Sequence, residues 1–410
     1  MKLNIRYMST LLYLTTSYAV LFIVREFSDL PISIGNASQK AEDLLNLNLP
    51  TNNFYPIGKA ILLIPFVWNK PNYFLAILFY FSVGIYYYLK ICDFIENSRL
   101  RLFALLALPL NPYLIWLIYS SQDTVFEFAL LMLFVRSLIK KKYLISTISG
   151  YLLCLTRPAY WIAFIFMTLT VLFYRRKVKR RLAIIVSIIT MLLAPATLIA
   201  NYYQYGEADF AGESGMTAFF SYNKYLYLSL PLFDMDVFLS TEGHVKSESI
   251  SSKEYSMKAL SSIQKNPKQI ILAELEKFDA YIFDIQKVPH LPGEYYLSED
   301  ASTIIIGNER LNWQIVVGNL VYAIYRTFIL GLLISTLGAM LFKRVIGLKI
   351  ESSRFYLVLI LPWILGIIPG LLYYTETRFK IVPELLLAPF IAIFWSRVLY
   401  QNSSLVRSSG

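Results

Sequence analysis

The chain has 410 residues, of which 57% are hydrophobic and 16% aromatic, and it carries a formal net charge of +11. A soluble domain has no use for that much apolar side chain, and its arrangement in repeated runs of near-membrane length marks a polytopic membrane protein. The positive charge falls in short clusters between those runs rather than on a patterned patch, so it reads as membrane anchoring and excludes a nucleic-acid partner.

In chain order, the apolar runs predict ten spans at 8–24, 73–89, 102–118, 123–139, 143–156, 158–174, 182–200, 318–342, 355–374 and 381–396. The first has no small-residue cleavage site behind it and reads as a retained span. Basic clusters then alternate with the spans: Lys2 and Arg6, Lys90 with Arg99 and Arg101, Lys140–Lys142, Arg175–Arg181, Lys343 to Arg354, and Arg397 with Arg407. Placing all of them on one side gives an even number of crossings and both termini in the cytoplasm. The expected class is therefore an all-α polytopic membrane protein. Its parts are an N-terminal membrane region (1–200) with a first outer loop (25–72), a large outer-loop domain (201–312) and a C-terminal membrane region (313–410).

"CLTRPAYW" (154–161) puts an arginine and a proline inside an apolar stretch fenced by "KKK" (140–142) and "RRKVKRR" (175–181). Both fences lie on the same side, so residues 143–174 cross twice or not at all. Thirty-two residues of helix rise about 48 Å, enough for two short crossings. Proline stops a helix and disfavours helical dihedrals in the residue before it, so the turn falls at Arg157-Pro158, at the outer face.

Two long stretches share that face. Residues 25–72 hold Asp29, Glu42 and Asp43, then "YPIGKAILLIPFVW" (55–68), too short to cross and expected to lie along the interface. Residues 201–312 hold 16 acidic residues against 9 basic ones. They are expected to be mostly helical, with two amphipathic helices in 254–285 split at Asn266-Pro267.

Several chemistries have no seat. The two histidines lie outside the spans, no Cys/His set has metal-ligand spacing, and no phosphate-binding glycine loop occurs. No cofactor is indicated by these residues, and dependence on a divalent cation is left open by the sequence. Cys92 and Cys154 fall at opposite sides of the membrane, which rules against a disulfide. Polar residues instead gather at the outer face: the first-loop acids, Asp123 in "YSSQDTVFEF", Arg157, and Glu376, Arg378 and Lys380 in "YYTETRFKIVPELLLAPF". Fixed cations there can stabilise a departing lipid phosphate, and a carboxylate can deprotonate an incoming hydroxyl.

Five segments, in order, resemble the GT-C superfamily of polytopic glycosyltransferases: "FYPIGKAILLIPF", "SSQDTVFEFALLML", "GYLLCLTRPAYW", "ANYYQYGEADFAGESGMTAFFSYN" and "ETRFKIVPELLLAPF". The resemblance implies an inverting transfer of a sugar from a polyprenyl-phosphate donor to a lipid-linked glycan or polysaccharide, such as O antigen, at the outer face of a bacterial inner membrane. It implies donor-phosphate binding by Arg157, Arg378 and Lys380, and a site also lined by Tyr55, Lys59 and Glu376. The family's first-loop catalytic Asp has no plain counterpart, since Asn36 stands in "GNASQKAEDLLN". Asp29, Asp43 and Asp123 are the candidates for the base. Two other readings fit an outer loop with outer arginines or a polytopic chain: a polysaccharide polymerase or ligase, and a transporter or flippase of a lipid-linked glycan.

Overall fold

The computed structural model describes residues 5–27, 36–48, 57–68, 72–111, 114–115, 117–118, 123–173, 180–206, 208, 210, 222, 252–282, 295–297, 304–306, 313–342, 353–372 and 377–408. Those residues are almost all helical. The N-terminal region comprises α1 (Ile5–Phe27), α2 (Asn36–Leu45), α3 (Ile57–Val67), α4 (Tyr73–Cys92), α5 (Ser98–Leu106), α6 (Asp123–Lys140), α7 (Tyr143–Thr156), a 3-10 turn (Pro158–Tyr160), α8 (Trp161–Phe173) and α9 (Arg180–Tyr205). Then follow α10 (Ser252–Lys265), α11 (Pro267–Ile282), an antiparallel pair of three-residue strands (Tyr295–Leu297 and Ile304–Ile306), α12 (Trp313–Leu341), α13 (Ser353–Leu372), α14 (Thr377–Glu384) and α15 (Leu387–Ser408). The hairpin lies in the stretch expected to be mostly helical.

Among the described residues, four helices are long and apolar enough to cross a membrane: Tyr73–Cys92, Ile184–Tyr205, Ala323–Leu341 and Lys380–Tyr400. Shorter apolar helices occupy Ile57–Val67, Tyr143–Thr156, Pro158–Thr170 and Tyr356–Ile368. Helix is the natural state for such runs, because hydrocarbon offers no partner for a backbone N–H or C=O.

Local sequence explains the boundaries. Asn72 begins α4 by accepting from the Leu75 amide at 3.0 Å, and Asn97 begins α5 by accepting from the Arg99 and Leu100 amides. The run expected to span continuously from 102 to 118 does not. Helix α5 stops at Leu106 and the chain turns over 107–110; Leu114 and Ile115 are helical again, and the Leu114 amide donates to Asn111 Oδ1 at 3.0 Å. Pro109 and Asn111-Pro112 account for the break: each proline lacks an amide, and Asn111 favours a cap over a helix interior. Asn266-Pro267 divides α10 from α11 as its composition predicts, with proline at the first helical position.

Helix α6 is the hub. It packs on α3, α4, α7, α13 and α14, and its Phe126, Phe128, Leu131 and Phe134 are buried. Helix α15 is also enclosed, with Phe390, Ile391, Ile393 and Phe394 nearly inaccessible. The turn at Leu385–Leu386 that joins α14 to α15 is held by amide bonds back to Val382 and Pro383.

Candidate functional site

The chain turns sharply at Arg157. Helix α7 ends at Thr156, Arg157 takes extended dihedrals (φ −138°, ψ 101°), and Pro158 opens the 3-10 turn. The restriction that proline imposes on its predecessor is the local cause. Extended backbone turns the Arg157 side chain inward, where it is 6% exposed and its Nη1 lies 2.6 Å from Glu127 Oε2. Tyr160, three residues on, donates its hydroxyl to Glu127 Oε1. Glu127 belongs to the second turn of α6 and is inaccessible to solvent.

Helix α3 seals this turn from one side. A β-carbon on Gly58 would stand 2.5 Å from the carbonyl carbon of Leu155 and the nitrogen of Thr156. Only glycine permits that approach of backbone to backbone.

A second buried ion pair lies on the neighbouring elements. Arg326, inside α12, points its Nε at both oxygens of Glu384, at 3.1 and 3.3 Å. Its Nη2 donates to the carbonyls of Tyr281 (2.9 Å) and Ile282 (2.7 Å). These are among the last carbonyls of α11, which have no partner within their own helix, so the guanidinium caps that helix end. Lys380 is fully buried one turn before Glu384, with Nζ 6.0 Å from the centre of the Tyr281 ring.

Tyr281 joins the two pairs. Its hydroxyl donates to the Trp363 carbonyl at 2.9 Å, and it occupies the space left by Gly366, where any β-carbon would collide with the phenol oxygen. Burial raises the pKa of this phenol well above its usual range. Glu384 and Glu127 push it the same way and Arg326 opposes them, so it remains a donor. Helix α6 packs on both α13 and α14, and α13 also touches the 3-10 turn.

Chemically the arrangement is a buried polar cluster in which each carboxylate oxygen has a partner. Glu127 is held by Arg157 and Tyr160, and Glu384 by Arg326. Burying ions this deeply is tolerable only with such pairing. Among the described residues no group of three His, Cys, Asp or Glu side chains could hold a metal ion, and Cys92 and Cys154 are both free.

The residues singled out from sequence fare unevenly. Arg157 and Lys380 are both in the cluster. Arg378 lies on α14 and Asp123 opens α6, the helix that carries Glu127, but the described atoms do not include their side chains. Lys59 is half-buried on α3, next to Gly58. Asp43 is half-buried on α2, which packs on α3 and so stands one layer from the Arg157 turn. Asp29, Tyr55 and Glu376 lie outside the described residues. Glu127, Tyr160, Tyr281, Arg326 and Glu384 are not among the residues that composition and motif single out. A signal for two of them was present: Glu127 and Arg326 are ionisable residues inside apolar runs, and such residues mark interior polar sites.

Comparison with family models, with curated proteins and with solved structures finds no match for this chain.

Proposed function

We propose that the chain is an integral membrane glycosyltransferase that moves a sugar from a polyprenyl-phosphate carrier to a surface glycan, O antigen or a similar polymer, at the outer face of a bacterial inner membrane. Ten crossings, an α3 helix lying along the interface and cytoplasmic termini belong to this reading. Its support is one observation. Segments far apart in the chain and chosen for their resemblance to GT-C transferases meet in space: Gly58 rests on the backbone before Arg157, Arg157 pairs with Glu127 of α6, and α6 packs on α14, which carries Arg378 and Lys380.

In this reading Lys380 and Arg378 receive the donor phosphate. Arg157, held rigid by Glu127, presents the outer edge of its guanidinium to the same anion. A first-loop or α6 aspartate takes the proton of the acceptor hydroxyl while that oxygen attacks the anomeric carbon and the lipid phosphate departs. The paired helices α10 and α11, tied to the bundle by Arg326, cover the site.

The deciding experiment is donor binding and turnover by the purified protein, with polyprenyl-phosphate glucose as the first probe. Binding that Lys380→Met weakens about tenfold or more, together with glycosidic bond formation on a lipid-linked acceptor, supports the proposal. Movement of a lipid-linked glycan across vesicles without a new glycosidic bond would establish a transporter instead. Use of a pyrophosphate-linked glycan as donor would establish a polymerase or ligase.

A further inference from the structure

The end of α6 remote from Glu127 carries a second polar cluster of different character. Asp93, just past α4, has three cations around its carboxylate: Arg101 at 3.1 Å, Lys90 at 3.4 Å and Arg6 at 3.6 Å. Beside it the Arg136 guanidinium and the Lys140 ammonium lie over one ring, Phe94, at 4.6 and 5.2 Å from its centre. Three cations thus face one carboxylate, and two more lie over the ring of the next residue. Glu96 and Arg99 on the following turn are both exposed and of opposite sign, so they leave the excess unchanged.

The cluster is built rather than incidental. Arg101 is 2% exposed and fixed by bonds to Ser9 Oγ (2.7 Å), Thr10 Oγ1 (3.0 Å) and the Arg6 carbonyl (3.2 Å). Its Nε, and Nη1 of Arg136, are buried and make no hydrogen bond among the described residues. A guanidinium is rarely left with an idle buried donor unless something accepts there. Like charges held this close repel, and an added anion removes the cost.

We infer that this end of the bundle, between α1, α4 and α6, binds the headgroup phosphate of an anionic phospholipid. The surroundings favour a lipid over a free anion. Tyr86 is half exposed with the Lys90 ammonium 5.6 Å from its ring centre, the position of an interfacial aromatic. From the cluster the outer faces of α1 and α4 continue as exposed apolar side chains, among them Met8, Leu11, Phe79 and Leu75, which give acyl chains a surface to follow. Basic sites between helices at one membrane face are suited to anionic headgroups. This site is separate from the Glu127–Arg157 cluster, and its assignment does not depend on the transferase reading.

The test uses the full chain purified in mild detergent, with lipid binding read by native mass spectrometry and by the shift of the thermal midpoint. Dioleoyl phosphatidylglycerol should bind about tenfold or more tightly than dioleoyl phosphatidylcholine. Arg136→Gln with Lys140→Gln should remove that preference, while the lipid-free midpoint changes little. Lys141→Asn with Lys142→Gln removes the same charge from the adjacent exposed turn and should leave the preference intact. Equal affinity for the two lipids, or equal loss in both double variants, overturns the site in favour of diffuse attraction. Stabilisation by inorganic phosphate at the same concentration overturns the lipid assignment and makes it a free-anion site. Asp93→Asn offers an independent check: removing the competing carboxylate should tighten phosphatidylglycerol binding, and weaker binding would contradict the proposal.

Discussion

Arg157 and Glu127 are 30 positions apart and meet at 2.6 Å in a buried ion pair, closed on its other side by the Tyr160 hydroxyl. The arginine that interrupts an apolar run is therefore an internal counter-ion as well as a candidate ligand for a substrate anion. Loss of one partner leaves a buried charge without compensation, at a cost of about 3–5 kcal/mol. Arg157→Met and Glu127→Gln should each lower the unfolding midpoint in detergent. The double variant should recover part of the loss, with a coupling of about 0.5–3 kcal/mol. Strict additivity of the two would contradict the ion pair.

The close approach at Gly58 gives a sharper test of packing. Gly58→Ala has to displace the Leu155–Thr156 backbone, and overpacking of that kind costs about 1–3 kcal/mol. Gly331→Ala, on α12 with open space around the would-be β-carbon, should be neutral or slightly stabilising through helix propensity. Equal midpoints for the two variants would show that α3 does not rest on the turn before Arg157.

Much of this architecture was legible in the sequence because membrane solvation acts through simple rules. Apolar length announced the long helices, and Pro158 and Pro267 announced the breaks at Arg157 and between α10 and α11. The broken run at 102–118 was hidden by its hydrophobicity, although "PLNP" holds two helix-stopping prolines and a capping asparagine. The polar cluster was half legible. Arg157 and Lys380 could be singled out one at a time, but Glu127 and Glu384 become significant only through partners 30 and 58 residues distant, and no local pattern encodes such pairings.

Arg326 ties the end of α11 to α12, so the attachment of α11 to the bundle should depend on it. Arg326→Met removes two bonds to the Tyr281 and Ile282 carbonyls and leaves Glu384 buried without its guanidinium. Hydrogen exchange should rise in 267–282 more than in α4. Uniform protection across both helices, relative to the unaltered chain, would mean that α11 is held by other contacts.

Within α11 the Lys277 ammonium is buried and lies 2.5 Å from Glu274. Burial lowers the lysine pKa and raises that of the glutamate, in each case against the pull of the pair. For the glutamate, the folded form binds a proton more tightly than the unfolded one. Its contribution to stability is therefore greatest below the ordinary carboxylate pKa and is lost as pH rises through the raised value. The depressed lysine acts in the opposite sense, adding stability as pH rises from its folded value toward its ordinary one. Exchange in 267–282, corrected for the intrinsic rate, should show the acid limb, and Glu274→Gln should abolish it. An acid limb that persists in Glu274→Gln would place the titration elsewhere.

The choice of base in the proposed transfer is narrowed by what the buried carboxylates already do. Glu127 presents one oxygen to Arg157 and the other to Tyr160, and both oxygens of Glu384 face the Nε of Arg326. Both carboxylates are buried and ion-paired, which suits them to holding their arginines rather than meeting a substrate hydroxyl, so the proposal assigns Glu127 and Glu384 to positioning. In the proposed transfer the base is then expected among Asp29, Asp43 and Asp123, the acids that the resemblance offers. A positioned base contributes about 10²–10⁴-fold to turnover, and an amide cannot replace it. One of Asp29→Asn, Asp43→Asn and Asp123→Asn should lose transfer on that scale, with donor binding and thermal midpoint retained, and Asp29 is the first expected. Glu127→Gln should instead weaken stability and donor binding together, through the freed Arg157. If all three aspartate variants keep their turnover while Glu127→Gln loses it at unchanged stability, the roles are reversed and Glu127 is the base.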